Sequence, residues 1–141
     1  EASKRFGSQA ITVSIDVKKI NQDYECFYNL GKDKSDKKFK DLIKECVDRG
    51  AGEIVVNSIN HNGLMNGYDN ELIKLTSSLV NIPIIASGGA GNYEDFYSAY
   101  KNGADAFAGA SIYHFTYQTP SEAKKYLTDK GVPIRKNFTI D

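Results

Sequence analysis

Apolar and polar positions alternate along the chain in two rhythms. Ala10-Ile11-Thr12-Val13-Ser14-Ile15-Asp16 is a short β-branched run and predicts a buried strand. Tyr24-Glu25-Cys26-Phe27-Tyr28 predicts a second, extended piece that folds back over it. Lys32 to Lys38 reads as a solvated charge run without function. Phe39, Leu42, Ile43 and Cys46 then fall at helical spacing and form one apolar face, which Gly50 ends with a left-handed cap. The phrase repeats. Glu53 to Ile59 predicts a strand, Asn60 to Gly67 a loop, and Asp69 to Leu79 a helix. Pro83 to Ser87 predicts a strand, Gly88 to Gly91 a loop, and Tyr93 to Asn102 a helix closed by Gly103. Asp105 to Gly109 predicts the last strand. A short helical turn is expected from Ser111, and a final helix capped by Ser121 is expected to run to about Lys130.

Strands alternating with helices over short loops predict a parallel α/β sheet. Gly50-Ala51-Gly52-Glu53 and Gly103-Ala104-Asp105-Ala106 are alike, and each joins a helix to the next strand, so a β/α unit is repeated. Four such units are half of a (β/α)8 TIM barrel, and four parallel strands alone would leave both sheet edges open. The competing architecture is a small doubly wound sheet of flavodoxin type, which periodicity alone does not separate from it. The opening Glu1-Ala2-Ser3-Lys4 shows no obvious first element and reads as a cut through a longer protein. The expected domain is therefore residues 1–141 as a C-terminal half barrel, with the N-terminal half absent.

Composition narrows the function classes. Eighteen basic residues balance eighteen acidic ones, which gives no general electrostatic case for nucleic acid or membrane binding. Cys26 and Cys46 lie in unlike contexts and read as reduced thiols of a cytosolic protein. His61 and His114 have no second ligand at metal spacing, so neither a metal nor a cofactor is expected. Both read as structural or surface residues, and Tyr113, Phe115 and Tyr117 as packing.

The strongest chemical signal is Ala86-Ser87-Gly88-Gly89-Ala90-Gly91, at the end of a strand and before a helix. Glycines let the backbone approach an anion and leave N–H groups free to point at it. The bland alternative is a tight turn that needs positive φ. Gly109-Ala110-Ser111-Ile112 follows the next strand, where Ser111 would cap a helix aimed at the same anion. Barrels of this class often hold phosphate after their last two strands, and these are the last two loops of the chain, which favours the barrel over the flavodoxin architecture. Asp16 ends an apolar strand, where a carboxylate at a barrel mouth serves as general acid or base. Its alternative is a surface pair with Lys18 or Lys19. Asn57, Asn60 and Asn62 crowd one loop, where amides suit either a polar substrate or turn formation. A bulky residue at Gly89 is expected to abolish phosphate binding with little loss of fold.

Several stretches resemble the cyclase subunit of imidazole glycerol phosphate synthase. They are FGSQAITVSIDVKK (6–19), GAGEIVVNSINHNGLMNGYDNELI (50–73), IPIIASGGAG (82–91), NGADAFAGASIYHF (102–115) and KKYLTDKGVPIR (124–135). Gly67-Tyr68-Asp69 with the glycine loop favours this family over its sister barrel, the phosphoribosyl isomerase of the same pathway. The resemblance implies a (β/α)8 barrel of two similar halves, working with a glutaminase that supplies ammonia. It implies a bis-phosphorylated ribulosyl ribonucleotide as substrate, with imidazole glycerol phosphate and an aminoimidazole carboxamide ribotide as products. It implies Asp16 as one of two acid/base aspartates, the other belonging to the first half. It implies that Gly63, Gly89, Ala110 and Ser111 contact a phosphate, within a binding set that also takes in Asn57, Asn62, Ser87 and Gly88. Glu53 matches a charged residue at the barrel base, where ammonia enters.

The family usually has Asp-Arg-Asp-Gly-Thr where this chain has Asn60-His61-Asn62-Gly63-Leu64, and threonine where it has Asn57. An amide keeps the size of a carboxylate and removes its charge and its proton-accepting capacity. These changes also fit a paralogue that passes ammonia to another acceptor in surface-sugar synthesis, or a catalytically silent phosphate-binding half. An isolated half is expected to bury its open edges by self-association.

Overall fold

The computed structural model describes residues 1–135. A six-stranded sheet carries helices against one of its faces. A short helix α1 (Ala2–Phe6) and a 3₁₀ turn (Ser8–Ala10) open the chain. The absence of an opening element expected from the sequence is therefore corrected. Five residues give no amphipathic period to read, and α1 is held from outside by Ser3 Oγ, which donates to the Arg49 carbonyl at 3.1 Å.

Strand β1 (Thr12–Ile20) is longer than its β-branched run. It turns at Asn21 and Gln22 into β2 (Asp23–Tyr28), which returns antiparallel, as the sequence predicts, and then into β3 (Asp33–Lys38). The solvated charge run thus forms an edge strand. Its side chains are almost all exposed, and Lys34 pairs with Glu25 at 2.6 Å while Lys37 pairs with Glu45. Charges of this kind blunt a sheet edge against further pairing.

Helix α2 (Phe39–Asp48) buries Phe39 and Ile43, and Gly50 follows it with φ of 93°. Strand β4 (Glu53–Ser58) leads to α3 (Asn70–Ser77), β5 (Ile84–Ser87) to α4 (Tyr93–Lys101), and β6 (Ala106–Ala108) to the short α5 (Ser111–Phe115). The last helix, α6 (Pro120–Asp129), is capped by Thr119 in a reciprocal capping box with Glu122, with Pro120 in the first turn. Ser121 is therefore inside the helix and not its cap. Ser111 is likewise the first residue of α5, and Ala110 occupies the cap position without a side-chain bond.

The strand order is β3-β2-β1-β4-β5-β6, with β1, β4, β5 and β6 mutually parallel. The hairpin modifies the expectation of two fully open edges. β2 pairs along β1 from Asp16 to Ile20, and among the described residues the remainder of that edge, Thr12 to Ile15, has no strand beside it. Among the described residues β6 pairs only with β5.

The two faces of the parallel strands differ. Ile15, Val17, Ile54, Val56, Ile84 and Ala86 point to the helix side and are buried with Phe39, Ile43, Leu72, Ile73 and Phe96. The intervening residues Thr12, Ser14, Asp16, Glu53, Val55, Asn57, Ile85, Ser87, Ala106 and Ala108 lie on the other face, and none is buried. Strict alternation of this kind follows from the two-residue period of a strand. No helix among the described residues is long and apolar enough to cross a membrane.

Candidate functional site

The carboxyl ends of β4, β5 and β6 deliver three loops to one end of the sheet. Between them lies an open cleft of about 140 Å³, lined by Asn62, Gly63, Met65, Ser87, Gly88, Gly89, Ala90, Ala108, Gly109, Ala110 and Ser111. Both loops singled out by the sequence meet here, together with the altered loop after β4. Every lining side chain is uncharged, so an anion entering the cleft would be met by dipoles alone. Among the described residues the N–H groups of Gly89, Ala90 and Ser111 have no protein acceptor. Those of Gly91 and Asn92 are taken by Asp95 Oδ2, at 2.8 and 2.9 Å. Asn62 is exposed at the cleft, and its amide makes no hydrogen bond among the described residues.

The glycines have a second reason to be there. Gly89 has φ of 111°, and a Cβ on it would stand 2.1 Å from the Gly67 carbonyl oxygen. The Gly67 N–H in turn donates to the Gly89 carbonyl at 2.9 Å. The loop after β5 is therefore locked backbone to backbone against the loop after β4. This overturns the expectation that a bulky Gly89 would spare the fold, because the clash is with main chain that has nowhere to move. Gly63 is different, since a Cβ there meets nothing within 4 Å, although its φ of 81° still favours glycine.

The loop after β4 is built by the residues that depart from the family pattern. Asn60 Oδ1 accepts the Lys19 N–H at 2.7 Å, which ties the loop to the end of β1. His61 Nδ1 lies 2.8 Å from the Gly67 carbonyl and donates to it, closing the loop on itself. Asn60 and His61 are thus structural, and Asn62 and Gly63 are the members of this run that face the cleft. Leu64 is 62% exposed on the rim.

Asp16 lies inside β1 rather than at its end, yet it stands level with the last pairs of the parallel sheet. The register sets Asp16 beside Asn57, Asn57 beside Ser87 and Ser87 beside Ala108. Asn57 Nδ2 donates to Asp16 Oδ1 at 2.8 Å, and Ser87 Oγ donates to Asn57 Oδ1 at 3.1 Å. Of the three, only Ser87 lines the cleft. Asp16 is half-buried and forms no pair with Lys18 or Lys19, since Lys19 turns instead to Glu71. Glu53 sits on the same face at the opposite end of β4, where it accepts from Thr12 Oγ1 at 2.9 Å. Four residue steps of strand separate it from Asn57, a distance of about 13 Å.

The sequence places Asp69 at a helix start, Tyr24 in an extended segment and Tyr68 in a family motif, and assigns none of them a part in the site. Asp69 is only 9% exposed and caps α3 through Leu72 N at 3.0 Å. It also accepts from Tyr24 of β2 at 2.8 Å, so the hairpin and the helix share one carboxylate. Burial, followed by that hydrogen bond, pushes the Tyr24 phenol well above its usual range. Tyr68 donates to the Ala108 carbonyl at 2.9 Å, and burial raises its phenol as well. An aspartate directly before the helical period of α3 was the available signal. Among the described residues no group of histidine, cysteine, aspartate or glutamate could hold a metal.

Comparison with known proteins places this geometry. The chain is 46% identical over 136 residues to imidazole glycerol phosphate synthase subunit HisF of Natranaerobius thermophilus, covering 96% of this chain and 54% of the relative. The same subunit of Helicobacter hepaticus matches at 46% over 136 residues, with the same coverage. That of Chlorobaculum parvum matches at 46% over 134 residues, covering 94% of this chain and 53% of its own length. The chain thus spans about half the length of the curated relatives it matches. Its parallel strands, with helices on one face only, are a half barrel. The family described as histidine biosynthesis protein matches residues 1–119, and the chain belongs to that family.

Proposed function

We propose that the chain supplies the second half of the cyclase barrel of imidazole glycerol phosphate synthase. In this reading a glutaminase partner delivers ammonia, which reacts with a bis-phosphorylated ribulosyl ribonucleotide at the mouth. The products are imidazole glycerol phosphate and an aminoimidazole carboxamide ribotide. Asp16 serves as one general acid/base, and the first half of the barrel contributes the other aspartate. One phosphate of the substrate is held in the cleft by the N–H groups of Gly89, Ala90 and Ser111, with Asn62, Gly63, Gly88 and Ala110 shaping it. Glu53, at the far end of the same face, marks where ammonia enters. The setting is the cytoplasm, with no cofactor required.

The observation that carries this reading is the row from Asp16 through Asn57 to Ser87. It sets a half-buried carboxylate beside a neutral, amide-lined cleft on the uncovered face. A phosphate anchored in the cleft places the rest of a long substrate over Asp16. The relatives' shared name supports the histidine-pathway acceptor over a surface-sugar one. The test is reconstitution with the first half of a relative and its glutaminase. Ammonia-dependent conversion of the ribulosyl substrate is expected, and Asp16→Asn should remove it while phosphate still binds. No turnover from the wild-type assembly, or full activity in Asp16→Asn, would overturn the assignment.

Without its other half, the chain should pair two copies through the uncovered face, where Val55 and Ile85 sit unburied between polar neighbours. Light scattering that showed a stable monomer at micromolar concentration would rule this out.

A further inference from the structure

Donor and acceptor accounting along the row from Asp16 to the cleft has a consequence for Ser87. An ionised carboxylate only accepts hydrogen bonds. Asn57 must therefore turn Nδ2 toward Asp16 Oδ1, because the opposite flip would press two oxygens together at 2.8 Å. That choice directs Asn57 Oδ1 to the other side, where Ser87 Oγ lies at 3.1 Å. The amide oxygen needs a donor there, and Ser87 has a single proton to offer. The hydroxyl proton is thereby committed inside the row. Ser87 lines the cleft, but toward the cleft its oxygen presents lone pairs, which disfavour an anionic oxygen.

We propose that Ser87 and Asn57 are positioning residues and not phosphate ligands: Ser87 fixes the orientation of the Asn57 amide, and that amide holds Asp16 in place beside the cleft. Phosphate binding then falls chiefly to the backbone amides of the cleft. Any ligand atom that reaches Ser87 Oγ must itself donate a hydrogen bond, as a sugar hydroxyl does. The proposal rests on the phosphate reading only for what it says of the cleft, and the geometry of the row stands apart from it.

The experiment uses the isotopically labelled chain and inorganic phosphate. Hydrogen exchange of the Asn57 side-chain amide should be slower by about tenfold or more than that of Asn21, which is exposed at the hairpin turn. Ser87→Ala should bring the Asn57 amide close to the Asn21 rate, and Ser87→Thr, which keeps the hydroxyl, should restore protection. Phosphate affinity should stay within about threefold in both variants, since the groups proposed to hold phosphate are main-chain. A loss of tenfold or more in phosphate affinity for Ser87→Ala would make Ser87 a ligand and overturn the proposal. An Asn57 amide that exchanges as fast as Asn21 in the wild-type chain would do the same. If the wild-type chain takes up no phosphate, the cleft assignment fails, and amide exchange still decides whether the row exists.

Discussion

The two faces of the parallel sheet are made by the same strands, yet they perform different work. Toward the helices, Ile15, Ile54, Val56 and Ile84 are buried in a continuous apolar core. On the other face, Asp16, Glu53 and Asn57 stand one residue away from those positions, Ser87 stands one residue from the buried Ala86, and all four remain accessible. The helix side carries the folding energy of the chain. The uncovered side carries groups that cost stability to bury and are useful for chemistry. A reader of the sequence who knows only which residues alternate already knows which set belongs to which task.

The contrast predicts unequal effects from neighbouring substitutions. Ile54→Ala should lower stability by about 3 kcal/mol in denaturant unfolding, because it opens a cavity beneath the helices. Ile85→Lys, one strand over on the uncovered face, should cost well under about 1 kcal/mol and instead halve the mass seen by light scattering. Equal costs at the two positions would mean that the uncovered face is packed as a core in the chain alone.

Asp69→Ala should cost about 2 kcal/mol, since it removes the α3 cap and leaves the Tyr24 hydroxyl without an acceptor. Thermal unfolding of the variant beside Tyr24→Phe would show whether the two losses share one carboxylate. The buried thiol of Cys26, 1% exposed, gives an alkaline signature on the helix side. Burial pushes it from 9.0 to about 11. The folded chain keeps this proton after the unfolded chain has lost it, so stability is complete below pH 9 and falls as pH rises toward about 11. The expected fall is about 2 kcal/mol from this group, and it should be absent in Cys26→Ala, so that it appears as the difference between wild type and variant. The smallest effect on folding, with a large one on binding, is expected at the cleft. Ala110→Glu should weaken inorganic phosphate binding by tenfold or more while changing stability by less than about 0.5 kcal/mol. Calorimetric titration and denaturant unfolding would measure the two.

Much of the fold was legible because its signals are local. The β-branched run before Asp16, the helical spacing of Phe39, Leu42, Ile43 and Cys46, and the paired Gly50 and Gly103 segments each act over a few residues. What escaped depends on partners distant in sequence. The β3 edge strand is a strand because β2 lies beside it, and its lysines gave no period to detect. Thr119, rather than Ser121, caps α6 because Glu122 lies three residues on, a spacing present in the sequence and passed over. At the site, the cleft loops were found by their glycines, but the reason for Gly89 was missed. That reason is a carbonyl 22 residues away at Gly67, which no local pattern reveals. The roles of Asn57 and Asn60 were equally hidden, since each is set by the strand register that brings β1 alongside.

The hairpin beside β1 has a consequence for assembly. By occupying the edge from Asp16 onward, it leaves an incoming strand a berth of only Thr12 to Ile15, about 13 Å long. Any strand added along this edge would meet β2 after Ile15. The exposed charges of β3 then keep the outer side of the hairpin from recruiting further chains. One hairpin thus limits pairing at this edge twice, by its length along β1 and by the charges it turns outward.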